Sequence, residues 1–252
     1  MRLKCLRKSK PSHDTTHDAV KSLWIPNIAQ GDTAGIVALP DDSVVFCDVN
    51  AGSLRRAFPD GNVMTLLGGL QYPNGLDIGP DGFLYVAENN GDALRRVDPN
   101  TGAATTVVNL SLPNGIAFTE SANVAYVGSY ELGLVYRVDQ PTPGQPGSSS
   151  LFVGSENFSG TANDGYGIDG MGVDKCGNIY TAEYNSGRVY RITPAGAVTM
   201  IAELPSFWVP NIHWGRGVGG FEKNIMYVAD RQKGRLFALH VVIEGVTEFV
   251  DL

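Results

Sequence analysis

The sequence lacks long apolar runs and is poor in charged residues. No stretch approaches the roughly 18 consecutive apolar residues of a membrane-spanning helix, which excludes a helical membrane protein. Charged residues make up 18% of the 252 residues, below the usual proportion of about a quarter. Hydrophobic residues make up 43%, which is enough to fill a core. We therefore expect a folded protein with no membrane partner.

The chain also lacks the basic surface of a nucleic-acid-binding protein. Its net charge is −7, although residues 1–10 carry five basic side chains and no acidic one. Because an acidic body repels a phosphate backbone, we expect no nucleic-acid partner. The basic start has no apolar core of a signal peptide, which favours a cytoplasmic protein. Residues 1–23 are polar and are predicted to be a disordered segment before a single domain over 24–252.

Common catalytic and metal-binding motifs are missing as well. The sequence contains no G-x-S-x-G, no H-E-x-x-H, no phosphate-binding or dinucleotide glycine motif, and no C-x-x-C pair typical of structural zinc. It is rich instead in glycine and proline, with 31 and 14 residues spread along the chain. With Val, Ile, Tyr and Thr between these residues, the pattern predicts many short strands joined by turns.

A strand cassette recurs five times and predicts the fold. Each copy has an apolar strand with an aromatic centre, a short polar turn, and a strand that is rich in aliphatic residues and usually contains Arg. The aromatic centres are Phe46, Tyr85, Tyr126, Tyr180 and Tyr227. A further strand precedes each cassette and a fourth often follows. Four strands in 40–50 residues are typical of a β-propeller blade, and the predicted blades are 24–66, 67–109, 110–153, 154–203 and 204–252. The run 141–150 is predicted to be an exposed insertion.

Polar residues at the start of the innermost strands are the candidate site. Asn74, Asn114 and Asp169 each precede a glycine at this point in successive blades, and His213 lies near the same point in the last. In a propeller such positions converge on one rim of the central channel. Asn or Asp before Gly also forms turns, so a purely structural role stays open. One carboxylate with amide oxygens suits a hard cation such as calcium.

At these residues the sequence resembles the calcium-dependent lactonase propellers of the senescence-marker-protein (regucalcin) and gluconolactonase family. The phrases that carry the resemblance are Pro-Asn-Gly at 73–75 and 113–115 and Asp-Gly-Met at 169–171. Members of the family have six blades and one divalent metal, usually calcium. The resemblance implies Asn114 and Asp169 as metal ligands, Asp169 as the catalytic residue, and Asn74 as a residue facing metal or substrate. His213 is a further candidate for substrate binding.

The chain departs from the family pattern at its start. The family's first blade supplies a metal-binding glutamate in a Glu-x-Pro-x-Trp phrase, whereas the first glutamate here is Glu88, in the second repeat. The segment 34–39 resembles the family's second blade, so we expect the glutamate-bearing first blade to be absent, with Asp32 as the nearest carboxylate that could replace that ligand. Five complete repeats predict a five-bladed ring or a six-bladed ring with one gap.

Three functions remain open from the sequence. The first is a metal-dependent hydrolase of a small lactone or related cyclic ester, which the identity and spacing of Asn114 and Asp169 favour. The second is a non-catalytic binding or scaffold propeller, which holds a partner or a ligand at its rim. The third is a metal-free relative of the strictosidine-synthase type. The missing glutamate favours the second and third, and the sequence names neither the substrate nor the oligomeric state.

Overall fold

The computed structural model describes residues 31–119, 123–140, 145–158, 167–217, 221–241 and 243–245. The segment 1–23, predicted to be disordered, lies outside the described residues. Within the described ranges the chain forms strands and turns, with a single turn of 3₁₀ helix at Ser155–Asn157. No helix in these ranges is long and apolar enough to cross a membrane.

Nineteen strands form five antiparallel sheets in chain order. The first sheet contains Thr33–Ala38 (β1), Val44–Asp48 (β2), Ser53–Ala57 (β3) and Val63–Leu67 (β4). The second contains Pro73–Ile78 (β5), Leu84–Glu88 (β6), Ala93–Val97 (β7) and Ala104–Asn109 (β8). The third contains Pro113–Phe118 (β9), Val124–Ser129 (β10), Leu134–Asp139 (β11) and Ser148–Val153 (β12).

The last two sheets follow the same plan. The fourth contains Gly167–Val173 (β13), Ile179–Tyr184 (β14), Arg188–Ile192 (β15) and Val198–Glu203 (β16). The fifth contains Ile212–Trp214 (β17), Ile225–Asp230 (β18) and Arg235–His240 (β19), and has three strands among the described residues.

The sheets stack face to face as blades around a central cavity. The second strand of each sheet is buried on both faces, since alternate side chains pack against the preceding and following sheets. Tyr85 faces the third sheet with Phe118, at a ring-centroid distance of 4.8 Å, while Leu84 packs against the first sheet. All five sheets contribute their innermost strands to the cavity wall. The predicted all-β propeller is confirmed.

One predicted loop is partly a strand. The run 141–150 was expected to be an exposed insertion, but its last three residues, 148–150, begin β12 and pair with β11. This outermost strand is largely exposed, so serines can occupy it without burying a polar group. Residues 141–144 lie outside the described ranges.

In several blades, a buried carboxylate at the end of the second strand forms an ion pair with an arginine of the third strand. Glu88 is 2% exposed and accepts hydrogen bonds from Arg95 Nε at 2.7 Å and from the backbone of Gln71 at 2.7 Å. The equivalent carboxylate of the last blade, Asp230, binds Arg235 Nε at 2.8 Å. The Arg95 and Arg235 pairs therefore each stabilise contacts within one blade.

The last blade meets the first through an ion pair near the cavity. Arg231, just after β18, lies 3.6 Å from Asp32, just before β1. Part of the last sheet's apolar face is accessible. Leu236 is 48% exposed and Phe221 is 38% exposed, and both line a cleft of about 330 Å³.

Candidate functional site

A β-bulge interrupts the innermost strand in four of the five blades. In the second blade, Asn74 and Gly75 lie together opposite the single residue Ala87. The same irregularity occurs in β1, β9 and β13. The bulged pairs are Ala34 with Gly35, Asn74 with Gly75, Asn114 with Gly115, and Asp169 with Gly170. A bulge bends the strand and re-aims a side chain, and here it directs the first residue of each pair toward the channel.

The turn interpretation of these phrases is therefore wrong. Asn74, Asn114 and Asp169 lie inside strands β5, β9 and β13. A glycine within an otherwise regular strand pattern is a signal for a bulge or for close backbone approach, and it was available in the sequence.

The glycines of the bulges bring neighbouring blades close together. A Cβ added at Gly75 would overlap the carbonyl oxygen of Asn114, and one added at Gly115 would overlap that of Asp169. Each glycine thus lets the next blade place its polar residue against the same rim. Close packing between the innermost strands is what gathers the three side chains.

The backbone before two of the bulges is held in an unusual conformation. Tyr72 and Leu112 precede the bulged strands with φ of 58° and 51°, in the left-handed region that favours glycine. Leu112 is held there by a hydrogen bond from its N–H to Asp92 Oδ1 at 2.9 Å. Backbone strain of this kind is often found next to functional sites.

The bulged residues line a cavity of about 880 Å³. Asn74, Asn114, Asp169 and His213 all contribute to its wall, so the structure brings the four predicted residues to one cavity. His213 lies at a different level, however. It pairs with Tyr227 as Asp77 pairs with Tyr85, further along the channel than the bulges. Its Nδ1 lies 2.9 Å from the carbonyl oxygen of Trp214.

The carboxyl group of Asp169 has a strongly shifted pKa. Although the residue keeps some exposed surface, protein surrounds its carboxylate, and this burial raises its pKa to about 8. The charge of Arg231 and a hydrogen bond from the side chain of Asn114 act in the opposite direction. Asn114 is itself 3% exposed. A carboxylate that is desolvated yet oriented by an amide can hold a water molecule and exchange a proton near neutral pH.

Further functional candidates lie where the second strands end. Asn89, Tyr130, Tyr184 and Arg231 occupy equivalent positions in four blades and line the same cavity. No shared motif marks them in the sequence, because they have different chemical types. What they share is only their position, one residue after the last residue of the second strand that pairs with the third.

Asp32 lies in the cavity wall, but outside the bulged positions. The bulge of the first described blade carries Ala34 at the position of Asn74, Asn114 and Asp169. Asp32 lines the cavity nearby, but it is exposed and its nearest cation is Arg231. The bulged positions therefore contribute one desolvated carboxylate, from Asp169, and two amides, from Asn74 and Asn114.

The side-chain oxygens of the bulged residues suit a hard cation, although they would provide it with few protein ligands. Carboxylate and amide oxygens are the ligands that calcium prefers, and the buried carboxylate of Asp169 would gain from a nearby positive charge. Within the described ranges, no three His, Cys, Asp or Glu side chains cluster as a metal site. Asn114 and Asp169 would hold the ion, with Asn74 beside them.

Comparisons with known proteins agree with this architecture. The family model described as SMP-30/Gluconolactonase/LRE-like region matches residues 85–231. A 6-deoxy-6-sulfogluconolactonase of Pseudomonas putida is 28% identical over 120 residues, which are 48% of this chain. The match covers 38% of that relative's length.

Several solved structures share the fold. A calcium-binding protein, regucalcin, from Agrobacterium tumefaciens has a TM-score of 0.60 at 17% identity, covering 86% of this chain and 92% of that one. A luciferin-regenerating enzyme has a TM-score of 0.63 at 12% identity, covering 86% and 94%. A streptogramin B lyase has a TM-score of 0.60 at 16% identity, covering 81% and 63%. At such identities the likeness shows the fold alone.

Proposed function

Because the chain belongs to the SMP-30/gluconolactonase/LRE-like family, we propose that it is a hydrolase that opens a small lactone or related cyclic ester. The matched residues include both the Asn114 and the Asp169 bulges. The sulfogluconolactonase relative supports a lactone derived from a sugar acid as substrate.

The observation that carries the proposal is the convergence of three polar bulges on one cavity. Asn74, Asn114 and Asp169 come from consecutive blades, and the last two are joined by a side-chain hydrogen bond. Ester hydrolysis needs a base for the attacking water and a donor for the ester oxygen. The carboxylate of Asp169 and the amide of Asn74 supply these groups.

Asp169 acts on the water in this proposal. Its carboxylate accepts a hydrogen bond from the water and takes its proton as the water attacks the carbonyl carbon. When the ring C–O bond of the resulting tetrahedral adduct breaks, the proton passes to the leaving alkoxide oxygen, and the product is the ring-opened hydroxy acid. Asn114 donates through its NH₂ group and so fixes the orientation of the carboxylate, while its own carbonyl oxygen remains an acceptor. Asn74 binds a lactone oxygen from the neighbouring blade.

A divalent cation, which we propose to be calcium, fits the same residues. Its ligands would be the carboxylate of Asp169 and the amide oxygen of Asn114, with water or substrate completing the shell. Such an ion would polarise the lactone carbonyl as a Lewis acid. The regucalcin neighbour supports this assignment.

A non-catalytic binding propeller is the alternative that one observation favours. Ala34 stands where a further polar side chain could complete the rim, and it can neither bind a metal nor transfer a proton. A weakly held ion and a slow reaction would then leave ligand binding as the main property of the cavity.

Hydrolysis and calcium binding decide between the two. We expect the wild type to hydrolyse D-glucono-1,5-lactone faster than the spontaneous rate in millimolar calcium, and to lose this activity in a chelator. Asp169→Asn is nearly isosteric and should fold, yet lose both calorimetric calcium binding and hydrolysis. Asp60→Asn, which removes an equal charge from an exposed outer turn, is the control. A wild type that binds no calcium and leaves the spontaneous rate unchanged would favour the binding propeller.

A further inference from the structure

A second ring of residues lines the cavity rim beside the bulges. In each blade, the last residue of the second strand that pairs with the third strand lies opposite the third strand's first residue. The residue that follows it in the sequence lines the cavity rim. The members of this ring are Val49, Asn89, Tyr130, Tyr184 and Arg231. They differ in chemistry, so the ring has an aromatic side and a cationic side.

Arg231 supplies the cationic side. Among the described residues that line the cavity, it is the only lysine or arginine. Its backbone is fixed by a hydrogen bond from its N–H to the carbonyl oxygen of Trp208 at 3.0 Å. Its charge reaches Asp169 in the preceding blade strongly enough to oppose the effect of burial on that carboxyl group.

The ion pair of Arg231 with Asp32 is a loose one. The two groups are 3.6 Å apart, and their side chains are 59% and 71% exposed. An exposed pair of this length contributes little free energy, so a better oxyanion can replace Asp32 at modest cost. Guanidinium binds planar and tetrahedral oxyanions through paired donors.

The aromatic side lies in the adjoining blades. The rings of Tyr130 and Tyr184 are 6.0 Å apart and inclined at 55°. Burial and the nearby Asp169 carboxylate raise the pKa of Tyr130 to about 12, so its hydroxyl remains a hydrogen-bond donor. Phenol rings with hydroxyl groups suit the apolar faces and the hydroxyl edge of a sugar-derived ring.

We propose that Arg231 binds an anionic substituent of the substrate, so that the preferred lactone carries a sulfonate or carboxylate remote from the ester. This inference rests on the proposed function and adds a substrate class to it. The ester lies at Asn74 and Asp169, the carbon skeleton lies along Tyr130 and Tyr184, and the oxyanion replaces Asp32 at Arg231. Because the other described residues of the rim are acidic or neutral, this arginine decides whether an anion is accepted.

The test is the preference between anionic and neutral lactones. kcat/KM is measured for D-glucono-1,5-lactone, its 6-deoxy-6-sulfo analogue and the corresponding 6-carboxylate lactone. We expect the wild type to prefer the two anionic lactones. Arg231→Gln should lower the anionic-to-neutral ratio by about 30-fold, the effect of losing a charge-assisted hydrogen-bond pair. Arg231→Lys should restore part of it.

Lys233→Gln is the matched control. Lys233 is exposed in the same turn, and its substitution removes the same charge without touching the cavity lining. An equal fall of the ratio in this variant would mean that general charge, rather than a contact at Arg231, sets the preference, and would overturn the inference. So would an unchanged ratio in Arg231→Gln.

Binding of unreactive analogues separates this inference from the proposed function. If the wild type hydrolyses none of the three lactones, calorimetry with 6-deoxy-6-sulfogluconate and with the neutral polyol D-glucitol still tests Arg231, because only the acid carries anionic groups. Tighter binding of the sulfonated acid, lost in Arg231→Gln and kept in Lys233→Gln, would support the anion site while the hydrolase fails. Equal binding of the two compounds by the wild type would overturn the anion site.

Discussion

The side chain of Asn114 donates a hydrogen bond to the carboxylate of Asp169 across the boundary between the third and fourth blades. The two residues occupy equivalent bulges, and Gly115 lets their strands approach closely enough for the contact. The bond favours the charged form of a carboxyl group that burial pushes toward the neutral form. It therefore controls both the orientation and the protonation of the proposed catalytic group.

Removing this hydrogen bond should move the activity to higher pH. Asn114→Leu keeps the approximate shape but cannot donate to Asp169, so the pKa of that carboxyl group should rise above about 8. We expect lactone hydrolysis to fall by about ten-fold or more at neutral pH, with the midpoint of its pH profile displaced to alkaline values. Asn100→Leu, on an exposed outer turn, is the control. An unchanged pH profile in Asn114→Leu would contradict the role of this contact.

Asp169 should also make folding stability depend on pH. Folding raises its pKa from 3.8 to about 8, so the folded state binds more protons than the unfolded state between these values. Its contribution to stability is therefore fully present below pH of about 4 and is lost as the pH rises through about 8. Asp169→Asn cannot titrate.

Urea unfolding in a chelator, at several pH values, measures this effect. The free energy of unfolding of Asp169→Asn relative to the wild type should increase between pH of about 5 and about 9. A constant difference between the two proteins over that range would show that Asp169 does not have a raised pKa.

Gly115→Ala should separate the third and fourth blades. Its Cβ would overlap the carbonyl oxygen of Asp169, which belongs to backbone and cannot rotate away. We expect a loss of about 1–3 kcal/mol in the free energy of unfolding, with loss of hydrolysis even under conditions where the variant is folded. Gly68→Ala is the control, because a Cβ there would meet no atom within 4 Å. Equal stability and activity in both variants would contradict the proposed packing.

Glu88 should matter more for stability than an exposed carboxylate in a similar ion pair. Glu88→Gln weakens the interactions with Arg95 and with the backbone of Gln71 at a site that is 2% exposed. We expect it to cost about 1–3 kcal/mol. The control is Glu203→Gln, whose exposed pair with Arg188 should be worth no more than about 1 kcal/mol. Thermal and urea unfolding of both variants measure the difference, and equal losses would show that burial does not strengthen the Glu88 pair.

The sequence by itself determined the blades. Each hairpin is local: the polar turn between Glu88 and Ala93, for example, joins two strands whose residues pair within a short span. Aromatic and aliphatic residues on both faces of the second strands then require a neighbouring sheet on each side. Repetition of this local pattern is enough to specify a propeller, and the innermost strands with Asn74, Asn114 and Asp169 could be located from it.

Only the tertiary structure decided how the polar residues meet. Bulges and close glycine contacts turn the side chains of Asn114 and Asp169 toward each other, and neither feature follows from strand periodicity. The fifth blade carries no such bulge among its described residues, and its register places Asn211, rather than His213, against the Gly170 bulge. His213 lies two residues further along the strand, opposite Tyr227, and so at another level of the channel. Arg231 and Asp32 meet because rotation about the channel brings the last blade beside the first, a relationship between distant parts of the chain that local pairing cannot encode.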